Sequence, residues 1–179
     1  MELTPLPLEG CYELQPPVRR DSRGLFVKTY HAELFNKMDL NTDWNEEYYS
    51  LSQKHVLRGF HFQIPPYDHI KLVYCVTGEI LDVLLDLRKD SPTFGEHCKI
   101  VVSSEKANMV YMPKGIAHGF LTLSDTATMA YKASTVYAPE HDTGVHWNSA
   151  AVEWSITEPI ISERDAELPQ FRIFESPFN

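Results

Sequence analysis

The chain has 179 residues, of which 43% are hydrophobic, and its 25 acidic and 16 basic side chains give a formal net charge of -9. The hydrophobic fraction is enough for a packed core and excludes a disordered chain, and the length favours one domain over residues 1–179. The acidic balance excludes the broad basic surface of a non-specific nucleic-acid binder, so an anionic ligand has to meet a local cluster of cations.

Short segments rich in β-branched and aromatic residues predict strands along the chain. After a predicted strand at 25–30 and a short helix at 31–37, strands at 71–76 and 80–87 flank a tight turn at Thr77-Gly78. Further strands are predicted at 100–102, 109–112, 120–123 and 129–133, and Ser162 is the expected cap of a helical turn. The pattern favours an all-β jelly roll of antiparallel strands with a few short helices.

Three cysteines, Cys11, Cys75 and Cys98, are too few and too far apart for a disulfide framework or a metal site. We expect them to be buried free thiols in a reducing compartment. The first residues lack the basic and apolar pattern of a secretory signal, and no run approaches about 18 apolar residues. These features predict a cytoplasmic protein without a membrane partner.

Two motifs flank the predicted strands. The first is residues 59–63 (GFHFQ) followed by Lys71 and Gly78, and the second is residues 113–118 (PKGIAH). Their layout resembles that of the cupin superfamily, which implies a double-stranded β-helix jelly roll. Strand alternation points His61 and Gln63 to the same side, into the barrel.

In metal-binding cupins these motifs supply three histidines and a glutamate. Here Gln63 and Lys71 stand in two of the four places, and an ammonium repels a divalent cation because it has no lone pair to donate. Only His61 and His118 remain as good ligands. We therefore expect no metal and no cofactor, and this expectation disfavours a metal-dependent dioxygenase. We expect instead a cavity suited to an anion or to developing negative charge.

A longer series of blocks runs through most of the chain, from about Asp21 to Asp165. The blocks are residues 21–24 (DSRG), 56–63 (VLRGFHFQ), 71–73 (KLV), 86–95 (DLRKDSPTFG), 113–120 (PKGIAHGF), 147–148 (WN) and 162–165 (SERD), with Phe26, Asp82, Tyr131 and Tyr137 between them. Their order and spacing resemble the dTDP-4-dehydrorhamnose 3,5-epimerase family. The resemblance implies an epimerase acting at C3, C5 or both of a dTDP-4-keto-6-deoxy sugar, in deoxysugar biosynthesis such as that of dTDP-rhamnose.

The chemistry needs a base, an enolate stabiliser and an acid, because the C4 ketone acidifies the hydrogens at C3 and C5. The resemblance implies that His61 is the base, with Asp165 as its carboxylate partner. It assigns enolate stabilisation to Lys71 and reprotonation from the opposite face to Tyr131. A histidine pKa of about 6.5 suits a base, and a tyrosine pKa near 10 keeps the acid protonated.

The resemblance also implies which side chains hold the nucleotide and the sugar. Arginines suit the pyrophosphate because the guanidinium matches phosphate geometry. Relatives commonly carry Gln and Asn at the positions of Glu46 and Tyr48, so we expect an altered pocket there. The expected substrate-binding residues are Arg23, Phe26, Glu46, Tyr48, Arg58, Gln63, His118, Tyr137 and Arg164.

Three alternatives stay open at this point: a monofunctional 3- or 5-epimerase, a 3,4-ketoisomerase on a related nucleotide sugar, and a non-catalytic sugar-binding cupin. Solvent-proton exchange separates the last from the enzymes, since a binding module shows none. The resemblance further implies a homodimer in which an N-terminal segment crosses to the partner. The apolar, proline-rich residues 1–20 are compatible with that exchange.

Overall fold

Two antiparallel sheets and a separate hairpin contain all the strands in the computed structural model, which describes residues 1–179. The first sheet has the spatial order β1 (Glu2–Pro5), β2 (Tyr12–Gln15), β10 (Met109–Met112), β7 (Lys71–Thr77), β12 (Thr126–Ala133) and β5 (Glu46–Gln53). The second has the order β13 (Asp142–Gly144), β6 (Leu57–Gln63), β11 (Ile116–Thr122), β8 (Glu79–Asp86) and β9 (His97–Ser103). The hairpin consists of β3 (Val18–Asp21) and β4 (Gly24–Val27).

The helical elements are short: α1 (Ala32–Lys37), α2 (Glu163–Ala166) and a 3₁₀ turn, Phe171–Ile173. None of them has the length or apolarity to cross a bilayer. The predicted cap is confirmed, since the Ser162 Oγ accepts a hydrogen bond from the Asp165 backbone N–H at 3.1 Å. This cap matters for the site because it fixes the turn that carries Asp165.

The main core lies between the two sheets, because most of its 15 buried residues come from strands of both. Val73 of β7 and Met129 of β12 meet Leu84 of β8 and Phe120 of β11, all nearly inaccessible to solvent. Burying a side chain of this size stabilises the fold by about 1.5–3 kcal/mol. The all-β jelly roll predicted from the short strands is confirmed, and the three cysteines are free and buried as expected.

The chain crosses from one sheet to the other at Gly78. Strands on both sides of this glycine are present as predicted, but the expectation that they pair around a tight turn is wrong. β7 pairs with β10 and β12, whereas β8 pairs with β9 and β11. Gly78 has a φ of 77°, and a Cβ there would lie 2.1 Å from the Thr126 carbonyl oxygen, so the corner requires glycine.

Candidate active site

A cavity of about 390 Å³ is lined by side chains from both sheets. β6 and β11 contribute from the five-stranded sheet, and β5, β7 and β12 contribute from the six-stranded sheet. The lining residues are Glu46, Tyr48, Ser50, Arg58, His61, Gln63, His69, Lys71, His118, Phe120, Tyr131, Ala133, Tyr137, Asp142 and Arg164. The cavity therefore collects most of the residues that the sequence singles out.

His61 and Asp165 form a hydrogen-bonded pair at this cavity. The distance from His61 Nε2 to Asp165 Oδ1 is 2.6 Å, and the Asp165 side chain is only 4% exposed. Burial raises the pKa of Asp165, but the hydrogen bonds from His61 and from the Gly59 amide outweigh it and hold the pKa below its usual value. The carboxylate is thus ionised at neutral pH, and Nδ1 of His61 is the ring nitrogen left to accept a proton.

His118 lies beside His61 because the two residues are register partners in the β6–β11 pair. A register shift follows between His118 and Phe120. His118 Nε2 lies 2.8 Å from Asp82 Oδ2, and both side chains are buried, so Asp82 orients the His118 ring. This wall of the cavity therefore carries two histidines, each held by its own carboxylate.

Lys71 begins β7 and brings a positive charge to the cavity while being only 6% exposed. Its ammonium has no hydrogen bond or ion pair with another side chain, so its N–H donors are free for a ligand. Burial lowers the pKa of Lys71 to about 8, although the nearby Asp142 and Asp82 act to raise it. No group of three or more His, Cys, Asp and Glu side chains is arranged to hold a metal ion.

Tyr131 faces the cavity from β12, on the six-stranded sheet. Its hydroxyl lies 3.1 Å from the Ser50 hydroxyl, and its ring stacks on the Tyr48 ring. Burial raises the pKa of Tyr131 well above its usual value, against the opposite effect of the Ser50 hydrogen bond. The phenol is therefore protonated throughout the neutral range and available as a proton donor.

Two arginines and a tyrosine lie toward the more open part of the cavity. Arg58 donates from Nε to Ser52 Oγ at 3.0 Å, and Arg164 pairs with Asp142 at 2.6 Å. Tyr137 is exposed, which places it at the rim. These guanidinium groups supply the local cationic cluster that an anionic ligand of this acidic chain requires.

Gln63 lines the cavity, but its amide group is hydrogen-bonded to backbone atoms. Its Nε2 donates to the carbonyl oxygens of Tyr67 at 2.8 Å and Val136 at 3.2 Å, and its Oε1 accepts from the Ala138 N–H at 2.6 Å. Strand alternation correctly placed Gln63 on the same side as His61. Its bonds to the backbone, however, suit the building of the rim rather than the binding of substrate.

Arg23 and Phe26 lie outside this cavity. Both are exposed on the β3–β4 hairpin, where the Arg23 guanidinium pairs with Asp21 at 2.6 Å. The structure does not bring them to the cavity of their own chain, because the hairpin is a separate two-stranded sheet and projects both side chains into solvent, and their expected contact with substrate stays a prediction.

Sequence analysis missed three polar residues of the cavity: Ser50, His69 and Asp142. Ser50 was detectable, because alternation along β5 puts it on the same face as Glu46 and Tyr48. His69 lies in the loop before β7, where no periodic pattern applies. Burial, followed by the charge of Lys71, lowers its pKa to about 2, so its ring is neutral.

Comparison with known proteins gives one consistent result. The family model for dTDP-4-dehydrorhamnose 3,5-epimerase matches residues 5–172. The chain is 37% identical over 160 residues to dTDP-4-dehydrorhamnose 3,5-epimerase from Shigella flexneri, which covers 88% of each chain. It is 38% identical over 172 residues to dTDP-4-dehydrorhamnose 3-epimerase from Streptomyces niveus, covering 93% of this chain and 82% of that relative.

A solved structure extends the likeness to the whole fold. The crystal structure of dTDP-6-deoxy-D-glucose-3,5-epimerase from Legionella pneumophila, in complex with dTDP-4-keto-L-rhamnose, superposes with a TM-score of 0.94. The two sequences are 31% identical, and the match covers 99% of this chain and 98% of that chain. Motifs, fold and cavity thus agree, and the chain belongs to the dTDP-4-dehydrorhamnose 3,5-epimerase family.

Proposed function

We propose that this chain is an isomerase that epimerises a dTDP-linked 4-keto-6-deoxyhexose at C3, C5 or both, in deoxysugar biosynthesis. One observation carries the proposal: a histidine with an ionised carboxylate partner and a protonated tyrosine face one cavity from different sheets. Family membership supports the substrate class, as does the nucleotide sugar bound to the Legionella relative. In this proposal the whole chain, residues 1–179, is a single epimerase domain.

The first step is removal of a proton next to the C4 ketone. Nδ1 of His61 takes the proton, the C–H electron pair becomes a C=C bond, and the negative charge moves onto the C4 oxygen. Asp165 stabilises the imidazolium that results. The Lys71 ammonium, buried and without a partner, stabilises the enolate oxygen, and a fixed charge in such a cavity acts more strongly than in water.

The second step returns a proton from the other side of the sugar ring. The Tyr131 hydroxyl donates to the same carbon, the C=C bond reverts to a C–H bond and a ketone, and the configuration is inverted. The imidazolium then loses its proton to solvent and the phenolate regains one. A base on one sheet and an acid on the other suit this transfer between opposite faces.

The open side of the cavity suits the nucleotide. Arg58 and Arg164 would bind the pyrophosphate, since bidentate guanidinium contacts are the strongest available to it. Tyr137 at the rim offers an aromatic face for the base or the sugar. Glu46 and His118 would accept and donate hydrogen bonds at the sugar hydroxyls.

We also propose that the chain forms a homodimer through the outer face of its six-stranded sheet. Tyr49, Leu51 and Val76 are all more than half exposed on β5 and β7, with Tyr49 at 74%. An apolar patch of this kind is typical of an interaction surface. In such a dimer the β3–β4 hairpin would reach the cavity of the partner, where Arg23 and Phe26 would contact the substrate.

Proton NMR of dTDP-4-keto-6-deoxyglucose in deuterium oxide tests the proposed activity. Loss of the C3 and C5 proton signals with inverted product is the result expected of a 3,5-epimerase, and loss of one signal identifies a monofunctional enzyme. Movement of the ketone to C3 would indicate a 3,4-ketoisomerase instead. No exchange and no product with wild-type protein would overturn the proposal.

A pair of matched variants ties the activity to His61. His61→Asn should abolish exchange at both carbons. His55→Asn is the control, since His55 is exposed and lies outside the cavity, and asparagine tolerates its φ of 68°. Equal exchange rates for the two variants would contradict the role of His61.

A further inference from the structure

The ring of Tyr131 is held against a second aromatic ring by the strand pairing. β5 is the edge strand of its sheet, and its register with β12 puts Tyr48 directly opposite Tyr131. The two rings stack with centroids 4.7 Å apart and an interplanar angle of 13°. Stacked aromatic rings attract each other beyond the effect of the apolar area that they bury, so the stacked orientation of Tyr131 is favoured over its alternatives.

The oxygen of Tyr131 is held separately from its ring. Ser50 lies two residues after Tyr48 on the same face of β5, and its hydroxyl is 3.1 Å from the phenol oxygen. The rings of His118 and Tyr131 are arranged edge-to-face, at 6.2 Å between centroids and 70° between planes. Stacking thus limits the tilt of the ring, and the hydrogen bond limits where the hydroxyl points.

We propose that Tyr48 and Ser50 are positioning residues that aim the Tyr131 hydroxyl at the carbon to be reprotonated. The inference rests on the proposed function, in which Tyr131 is the acid. Neither Tyr48 nor Ser50 contacts the His61–Asp165 pair through a hydrogen bond, and that pair belongs to the other side of the cavity. Their loss should therefore impair proton return and leave proton removal in place.

The two half-reactions can be observed separately in deuterium oxide. After His61 takes a proton, the imidazolium exchanges it with solvent and can return deuterium to the same face, which labels the substrate without inverting it. Delivery from Tyr131 instead gives labelled, inverted product. The ratio of inversion to exchange therefore reports how well Tyr131 is aimed, whereas a general loss of structure lowers both rates together.

The test compares this ratio, measured by NMR with dTDP-4-keto-6-deoxyglucose, in four variants. Tyr48→Ala removes the stacked ring and Ser50→Ala removes the hydrogen bond. Each should lower the ratio of inversion to exchange by about ten- to a hundredfold, the effect of misplacing a reacting group. Gln53→Ala, an exposed site at the end of the same strand, should stay near the wild-type ratio, and Tyr48→Phe, which keeps the stacked ring, should give a higher ratio than Tyr48→Ala.

An unchanged ratio in both alanine variants would overturn the proposal, and so would an equal fall in inversion and exchange. If Tyr48→Ala does not fold, as judged by circular dichroism, Ser50→Ala decides the question, because it removes a single oxygen atom. Wild-type protein that shows neither exchange nor inversion would refute the proposed function itself. That failure is distinct from one in which wild type is active and the variants keep its ratio.

Discussion

Replacing Asp165 by asparagine is the most direct test of the proposed base. Asp165 accepts two hydrogen bonds, from His61 Nε2 at 2.6 Å and from the Gly59 N–H at 3.3 Å. An asparagine has one acceptor oxygen and an NH₂ group, so it cannot accept from both donors. The variant keeps the shape of the side chain, loses the negative charge and leaves one of the two donors facing another donor.

The size of the effect follows from this geometry. A hydrogen bond to a charged group contributes about 1.5–3 kcal/mol. Coulomb attraction between the imidazolium and the carboxylate, at 2.6 Å and an effective dielectric constant of about 20, gives an upper figure of about 6 kcal/mol. Since about 1.4 kcal/mol is a factor of ten in rate, kcat should fall by about 10- to 10,000-fold.

Deuterium exchange at C3 and C5, with kcat from product formation, measures this loss. Both exchange and inversion should fall together, because Asp165 supports the abstraction that precedes both. Thermal unfolding serves as the control, since one unpaired buried donor costs about 1–3 kcal/mol of stability. A folded Asp165→Asn protein with wild-type kcat would refute the reasoning that the carboxylate stabilises the imidazolium.

Three further predictions concern charge and packing. Because burial lowers the pKa of Lys71 to about 8, kcat/KM should fall as pH rises through 8. Lys71→Met should lower kcat/KM by about 100-fold at pH 7 and abolish this fall at high pH. Burial raises the pKa of Asp86, but hydrogen bonds, led by the one from Arg88, lower the pKa overall. The ionised carboxylate therefore stabilises the fold fully above about pH 4, and this stabilisation is lost as pH falls through the lowered pKa. Denaturant titrations should show Asp86→Asn to be less stable than wild type by about 3 kcal/mol at pH 7, with the difference shrinking in acid. Gly78→Ala forces a Cβ against the Thr126 carbonyl at positive φ and should cost about 2–5 kcal/mol in thermal unfolding, with unchanged kcat in the folded fraction.

The strands could be predicted because they depend on local pattern, whereas most of the cavity residues could be predicted because the chain resembles the epimerase family. Alternation alone put His61 and Gln63 on one side of β6, and the resemblance of the two motifs to those of cupins placed Lys71 and His118 in the same cavity. The sheet to which each strand belongs was not predictable in this way. A glycine at a tight turn, such as Gly78, permits either a hairpin or a crossing between sheets, and only the packing of the whole sandwich decides between them.

Side-chain partners were harder to predict than side-chain direction. Gln63 points into the cavity as expected, yet its amide is hydrogen-bonded to the backbone of the loop that directly follows it and of a second loop that is distant in sequence. Arg23 belongs to a strongly matching block but lies on an exposed hairpin. A matching block therefore does not by itself show whether its residues reach the cavity.

The unpartnered ammonium of Lys71 has a consequence for the empty protein. A nearly inaccessible cation without an ion pair opposes folding, since the attraction of Asp142 and Asp82 offsets only part of its desolvation until an anionic or enolate oxygen arrives. The buried cation therefore lowers the stability of the protein without ligand and raises the affinity of the cavity for negative charge. An isosteric apolar side chain at this position would give a protein that melts at a higher temperature and turns over more slowly, and binding of a charged ligand would raise the melting temperature of the native chain more than that of the substituted one.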